Sequence, residues 1–283
     1  MIKFRENAMR VLFLIAALFA SAAVAMICVF LFSGGIPALR EIGLINFLSG
    51  RLWAPERDIY GILPMILGSI YVTAGAILLG VPVGILSAVF LARFCPDRLH
   101  RILKPAVDLL AGIPSVVYGF FGLTVLVPGI RAVFGGSGTS MLAASMVLGI
   151  MILPTIIGVS EAAIRAVPNS YYEGSLALGA GHERSVFLTV VPAAKSGILS
   201  AVILGIGRAV GETMAVVMVA GNQAIMPSGI TKGLRTLTAN IVIEMGYAAD
   251  LHREALIATG VVLFVFILLI NVCFSLVKRG IKE

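Results

Sequence analysis

Long apolar runs separated by short stretches rich in glycine, proline and charge make up most of the chain. The runs Val11 to Phe32, Ile62 to Phe94, Ala106 to Val127, Met141 to Val159, Gly197 to Ala220 and Ala255 to Val277 are each at least 19 residues long. A helix needs about 20 such residues to cross roughly 30 Å of hydrocarbon. The pattern therefore predicts an all-α polytopic membrane protein with six transmembrane helices. Short alternating segments of the β-barrel kind do not occur. The first run follows Lys3, Arg5 and Arg10 and contains ASAAVA, the ingredients of a cleaved signal peptide. It is longer than the 7–15 apolar residues typical of a signal peptide's apolar core, so an uncleaved first span is expected. The second run is too long for one perpendicular crossing, and Gly80 and Pro82 predict a tilted, kinked span. In the third, AGIPSVVYGFFG (111–122) predicts a distorted helix around Pro114.

Composition agrees with this class: 59% of the 283 residues are hydrophobic and 12% charged, with a mean hydropathy of +1.06. The net charge of +7 sits at the ends of the runs, which orients a membrane protein and does not form a nucleic-acid groove. With six spans both termini share one side. That side carries 13 of the 21 Lys and Arg residues against 7 opposite, Arg208 lying within a run. The excess places both termini and residues 161–195 in the cytoplasm. Cys28, Cys95 and Cys273 have no metal-ligand or redox spacing and read as unpaired thiols. No G-x-x-x-x-G-K-[ST] loop is present, so no nucleotide site of that kind is expected.

The polar segments hold the chemistry. Trp53, in the stretch 33–60, stands where an interface aromatic would stand, and Asp108 reads as an interfacial carboxylate. In 221–253, Leu234, Leu237, Ile241, Val242 and Met245 recur at helical spacing and predict a short amphipathic helix on or dipping into the interface. In 161–195, Ser170 and Glu173 form a capping-box pattern ahead of a helix from Tyr171 to Leu178. Gly179 supplies the left-handed stop, and a second helix leads to Pro192. Such a displayed helix–glycine–helix element suits the transfer of rigid-body motion from a soluble partner, although a capped loop helix without a partner has the same local pattern.

Within the fifth run Arg208 and Glu212 are four residues apart, on one face of a continuous helix, and so are placed to pair. Each costs roughly 2.5–3.5 kcal/mol at the centre of an inserted helix, so both are expected to face protein or a wet cavity. They either neutralise each other and fix packing, or form an anion pathway. In the second case Arg208 offers a guanidinium fork to a tetrahedral oxyanion. Glu212 would hold Arg208 when no anion is present. Gly205, Gly207 and Gly211 around the pair are expected to allow close backbone contact.

The segment Glu173-Gly174-Ser175, then Gly179, then Pro192, resembles the cytoplasmic EAA loop of ABC-importer permeases, with Gly174 and Ser175 in place of both alanines. AGIPSVVYGFFGL (111–123), GSGTSMLAASMVLGIMILPTI (136–156) and GRAVGETMAVVMVAGN (207–222) extend the likeness to the phosphate-specific ABC importer. The run Gly211-Glu212-Thr213-Met214-Ala215-Val216 after Arg208 is similar to the PstC-type permease more than to its PstA-type partner.

The resemblance implies a type I ABC importer permease fold in a bacterial inner membrane. The division it suggests is an N-terminal helix and periplasmic loop over 1–61 and a permease core over 62–283 with its coupling loop at 161–195. It implies a transport subunit, not an enzyme, that docks its ATPase subunit through Glu173, Gly174, Ser175, Gly179 and Pro192 and moves phosphate past Arg208 and Glu212. The implied partners are a PstA-type permease, a PstB-type ATPase dimer using ATP with Mg, a PstS-type periplasmic phosphate-binding protein and membrane lipid. Cofactors, metal and nucleic acid are not expected in this chain. Molybdate, sulfate or a phosphonate as cargo remains open on the residues alone, as does an ion-coupled secondary transporter using Arg208 and Glu212 as a relay.

Overall fold

The structure, a computed structural model, describes residues 2–280, most of them in helices. α1 (Ile2–Ile42) does not stop at Phe32 as its apolar run does but continues through Gly34, Gly35 and Pro37. It is kept helical there by packing on α14 (Asp250–Gly280). A Cβ on Gly35 would lie 2.8 Å from Val261 Cγ2, and Phe32 meets Phe264 edge-on with ring centroids 6.0 Å apart. α2 (Leu44–Ser49) leads into a hairpin of β1 (Trp53–Ala54) and β2 (Ile59–Tyr60), with Trp53 opposite Tyr60.

α3 (Leu63–Val89) is prolonged by a wide π turn, Phe90–Phe94. It packs along α7 (Met141–Arg165) at very close range: a Cβ on Gly80 would sit 2.8 Å from Gly149 O, and one on Gly84 2.7 Å from Ile156 Cγ2. Between them run α4 (Asp97–Gly112), α5 (Ser115–Phe121), a π turn (Gly122–Leu126) and α6 (Val127–Phe134). The third span is therefore Ser115–Phe134, not Ala106–Val127. Ile113 precedes a proline, which disfavours the α region, and adopts φ −69°, ψ 127°; the helix stops and restarts there. α4 on the near side of the break is amphipathic and buries no residue.

After α7 come α8 (Asn169–Ala177), α9 (His182–Ser185), a π turn (Val186–Val190), α10 (Val191–Ala193) and α11 (Lys195–Gly211). The chain bends by 69° between His182–Ala193 and Lys195–Gly211. α12 (Met214–Val219) and α13 (Leu237–Glu244) precede α14. Among the described residues five helices are long and apolar enough to cross a membrane, or six where the bent pair is one span.

Three cores follow one another along α3. The hairpin end gathers Phe47, Trp53, Tyr60, Ile62, Met65, Leu237 and Leu256. The middle holds Val72, Val147, Leu148, Ile152, Ile156, Val216 and Leu234. The far end joins Ala88, Val89, Ile164, Val186, Val190 and Ile198, beside the 161–195 segment. Two interface expectations change here. Trp53 is a core residue, 7% exposed, and α13 packs inside the protein with Leu237 and Asn240 buried. The three cysteines are free thiols.

Candidate functional site

Arg208 and Glu212 do not form the pair their spacing predicts. α11 ends at Gly211, and Glu212 is extended, with φ −69° and ψ 133°. An i, i+4 pair requires a continuous helix, and this one is interrupted between the two residues. The Glu212 carboxylate instead accepts from Ala215 N at 3.2 Å, at the start of α12, while its carbonyl accepts from Thr238 Oγ1 of α13 at 3.1 Å. A narrow pocket lined by Ser69, Thr73, Glu212, Thr236 and Thr238 lies behind the break.

Arg208 is half-buried, and its Nη1 donates to Thr155 Oγ1 of α7 at 3.4 Å. Among the described residues no carboxylate lies within ion-pair distance of it. α11 comes near α7 here because Gly205 faces Ile156, with a hypothetical Cβ 3.1 Å from Ile156 Cδ1. Of the three glycines only Gly205 fits the expectation of close contact; Gly207 and Gly211 face open space. The outcome is an arginine inside an apolar helix, free of counter-charge and open on one side.

The segment expected to dock a partner is brought together at the far end. α8 starts at Asn169 with Pro168 as its N-cap and no side-chain cap bond, so the Ser170–Glu173 capping box does not form. The first turn closes through Tyr171 N to Pro168 O at 3.1 Å. Its end is as predicted: Gly179 has φ +86°, Ala180 N donates to Ser175 O at 3.2 Å and Gly179 N to Leu176 O at 2.9 Å, the Schellman arrangement. Glu173, Gly174, Gly179 and Pro192 are exposed, as is Leu178 at 91%. Ser175 turns inward and accepts from Thr189 Oγ1 at 3.4 Å. Tyr172 Oη and His182 Nδ1 lie 2.7 Å apart, and His182 meets Phe94 edge-on at 4.7 Å, so α8, α9 and the turn that prolongs α3 are held in contact.

Two charged centres escaped the sequence pattern. Glu161 of α7, 4% exposed, receives His100 Nε2 at 2.7 Å, Arg165 Nε at 3.0 Å and Lys104 Nζ at 3.5 Å. Lys104 also pairs with Asp108 at 3.1 Å. Arg165 Nη2 donates to Leu91 O at 2.9 Å and Arg93 Nη2 to Ile164 O at 3.2 Å, stapling the ends of α3 and α7. At the hairpin end Glu244, 6% exposed, accepts from Trp53 Nε1 at 2.8 Å, lies 2.9 Å from His252 Nε2 and pairs with Arg235. The group lines an open cavity of about 900 Å³ beside Arg57, Asp58 and Tyr60. Burial pushes the Tyr60 phenol above its usual range, helped by Asp58, to which it donates at 3.3 Å. The missed signal was a carboxylate on a buried helical face: Ile157, Glu161, Ile164 and Leu237, Asn240, Glu244. Among the described residues no group of three metal-binding side chains occurs.

Residues 80–283 match the family described as binding-protein-dependent transport system inner membrane component. The chain is 42% identical over 267 residues to the probable ABC transporter permease protein YqgH of Bacillus subtilis, covering 90% of this chain and 86% of that protein. It is 36% identical over 265 residues to the phosphate transport system permease protein PstC of Mesorhizobium japonicum, covering 86% and 81%. Among solved structures, an inward-facing MetNI methionine ABC transporter chain aligns with TM-score 0.64 at 20% identity, over 82% of this chain and all of that one. A chain of a bacterial alginate ABC transporter aligns with TM-score 0.65 at 14% identity, over 94% and 95%.

Proposed function

The chain belongs to the binding-protein-dependent transport system inner membrane component family, and from that premise we propose that it is the phosphate-translocating permease of an ATP-driven importer. It is a multi-pass inner-membrane subunit with the type I ABC importer permease fold, and ATP hydrolysis resides in a separate protein. An ATPase and a substrate-binding protein are its partners as a member of this family. Phosphate as the cargo is supported by likeness to PstC proteins over most of the chain, at 31–36% identity. The observation that carries the pathway assignment is Arg208, half-buried in a span and, among the described residues, without a carboxylate partner. An unpaired guanidinium there recruits an anion to repay its desolvation, and its planar fork suits a tetrahedral oxyanion.

In this reading a PstS-type protein delivers phosphate at the hairpin end, and a PstB-type ATPase dimer binds the opposite, cytoplasmic end. A PstA-type permease completes the membrane pair. ATP with Mg closes the ATPase dimer. Its closure pushes α8, held to α9 through Tyr172 and His182, and α9 to α11 carry that motion to Arg208. Glu173, Gly174, Gly179 and Pro192 form the docking face, and Ser175 supports it from within. Glu212 acts at the break in the span by capping α12, not by neutralising Arg208.

The test is labelled phosphate uptake in phosphate-starved cells lacking this chain, restored with wild type or with Arg208→Leu, with sulfate in parallel. Deletion and Arg208→Leu should both abolish phosphate uptake and leave sulfate untouched, with the complex assembled. Wild-type uptake by Arg208→Leu would reduce the residue to packing. Phosphate uptake that survives deletion in cells with no second system would shift the cargo to another oxyanion.

A further inference from the structure

Hydroxyl side chains within helices of this protein commonly donate to the carbonyl four residues earlier. Thr124 does so to Phe120 O at 2.9 Å, Ser200 to Ser196 O at 2.8 Å and Thr259 to Ala255 O at 2.9 Å. Thr155 does not. Among the described residues its hydroxyl has one hydrogen bond, and in it Thr155 is the acceptor, from Arg208 Nη1 at 3.4 Å. A threonine hydroxyl has one proton to donate and two lone pairs, so this contact leaves the proton uncommitted. Thr155 is half-buried, as Arg208 is, and Pro154 beside it keeps that turn of α7 without one of its backbone donors. A half-buried O–H next to a guanidinium that lacks a counter-charge makes a mixed donor edge: a fork of N–H groups and one O–H, on two different helices.

We propose that Thr155 is a second ligand of the transported anion. Its O–H donates to one oxygen of a tetrahedral oxyanion while the Arg208 fork holds others, and its lone pair keeps the guanidinium on the α7 side between passages. Glu212, turned toward Ala215 N, does not compete for Arg208 in this arrangement. The proposal rests on the assignment of Arg208 to the pathway.

It is tested in the complete complex reconstituted in proteoliposomes with its binding protein, measuring labelled phosphate uptake and ATP hydrolysis together. Delivery by the binding protein sets the half-saturating phosphate concentration, so loss of a permease ligand appears in turnover. Thr155→Val, which keeps the shape and removes the donor, should lower turnover about tenfold or more, the size of a hydrogen bond to a charged group. Half-saturation should not change, ATP hydrolysed per phosphate should rise, and Thr155→Ser should restore uptake to within about twofold, consistent with its donor being retained. Thr155→Ala serves as the second donor-free variant. If both donor-free variants transport normally while Arg208→Leu is inactive, Thr155 is not a ligand and the proposal alone falls. Loss of assembly in both would make the residue structural and overturn it as well. Normal uptake by Arg208→Leu would remove the pathway assignment and this proposal together.

Discussion

Glu161 is surrounded by His100, Lys104 and Arg165, from α4 and from its own helix, and Arg165 in turn reaches the Leu91 carbonyl of the π turn after α3. Truncating it leaves Lys104 and Arg165 without their shared carboxylate and His100 without its partner. The side chains left behind are part-exposed, so the cost lies below the figure of about 3–5 kcal/mol for a buried charge left without its partner. Glu161→Ala should therefore lower the thermal midpoint of the purified complex clearly, and Glu161→Gln, which keeps hydrogen bonds, should lower it less; equal midpoints for wild type and Glu161→Ala would show that the network adds nothing. Arg208 is the contrasting case. Among the described residues it has no carboxylate partner, whereas Glu161 and Glu244 each meet basic side chains within the fold. The sequence placed Arg208 and Glu212 inside an apolar run but could not separate these cases, because each depends on neighbours far along the chain: Thr155, His100 and Trp53.

At the scale of elements, each π turn ends two residues before a proline: Phe94 before Pro96, Leu126 before Pro128, Val190 before Pro192. A proline has no N–H and its ring strikes the carbonyl four residues back, and a widened turn relieves both. The third of these turns joins α8 and α9 to the transmembrane α11, so Pro192 shapes the linkage between the docking face and the span. The stop at Gly179 is equally local. Its φ of +86° is closed to proline, which needs about −65°. Gly179→Pro should displace α8, and Glu173→Lys should reverse the charge of its exposed face; both should lose ATP-coupled uptake while the chain still inserts. Normal ATP-dependent uptake in both variants would remove α8 from the docking role. The helix, its glycine stop and the second helix were legible from spacing alone. The capping box was not, because Pro168 and Ser170 both offer a start and the first-turn bond to Pro168 O takes it.

Across the whole molecule, the first and last helices close on each other. α1 lies on α14 through Gly34 and Gly35, and the hairpin that follows α1 is tied by Trp53 and Glu244 to α13 and by Glu244 and His252 to α14. Gly35→Leu would force side-chain atoms into Val261 and the Ala258 backbone, an overpacking worth about 1–3 kcal/mol. The expected outcome is a lowered thermal midpoint and weaker disulfide cross-linking between cysteines placed on α1 and α14; unchanged cross-linking would show that α1 docks by other contacts.

The run of five to six apolar helices, the membrane class, the unpaired thiols, the glycine-stopped α8 and the presence of an ionisable group inside a span are properties of local composition, and the sequence alone decided them. Transfer from water to hydrocarbon is summed over neighbours in the chain, and a turn's backbone is decided within a few residues. The tertiary structure alone decided that α1 reaches Ile42, that Trp53 and α13 are interior, and that Glu212 leaves its helix. It alone set the partners of Glu161, Glu244 and Arg208. Most of those outcomes depend on groups far apart in the chain coming into contact, as Trp53 and Glu244 do at hydrogen-bond distance across 191 positions. A buried charge or an interrupted helix is stable only where such a partner arrives, and its arrival is a property of the folded chain.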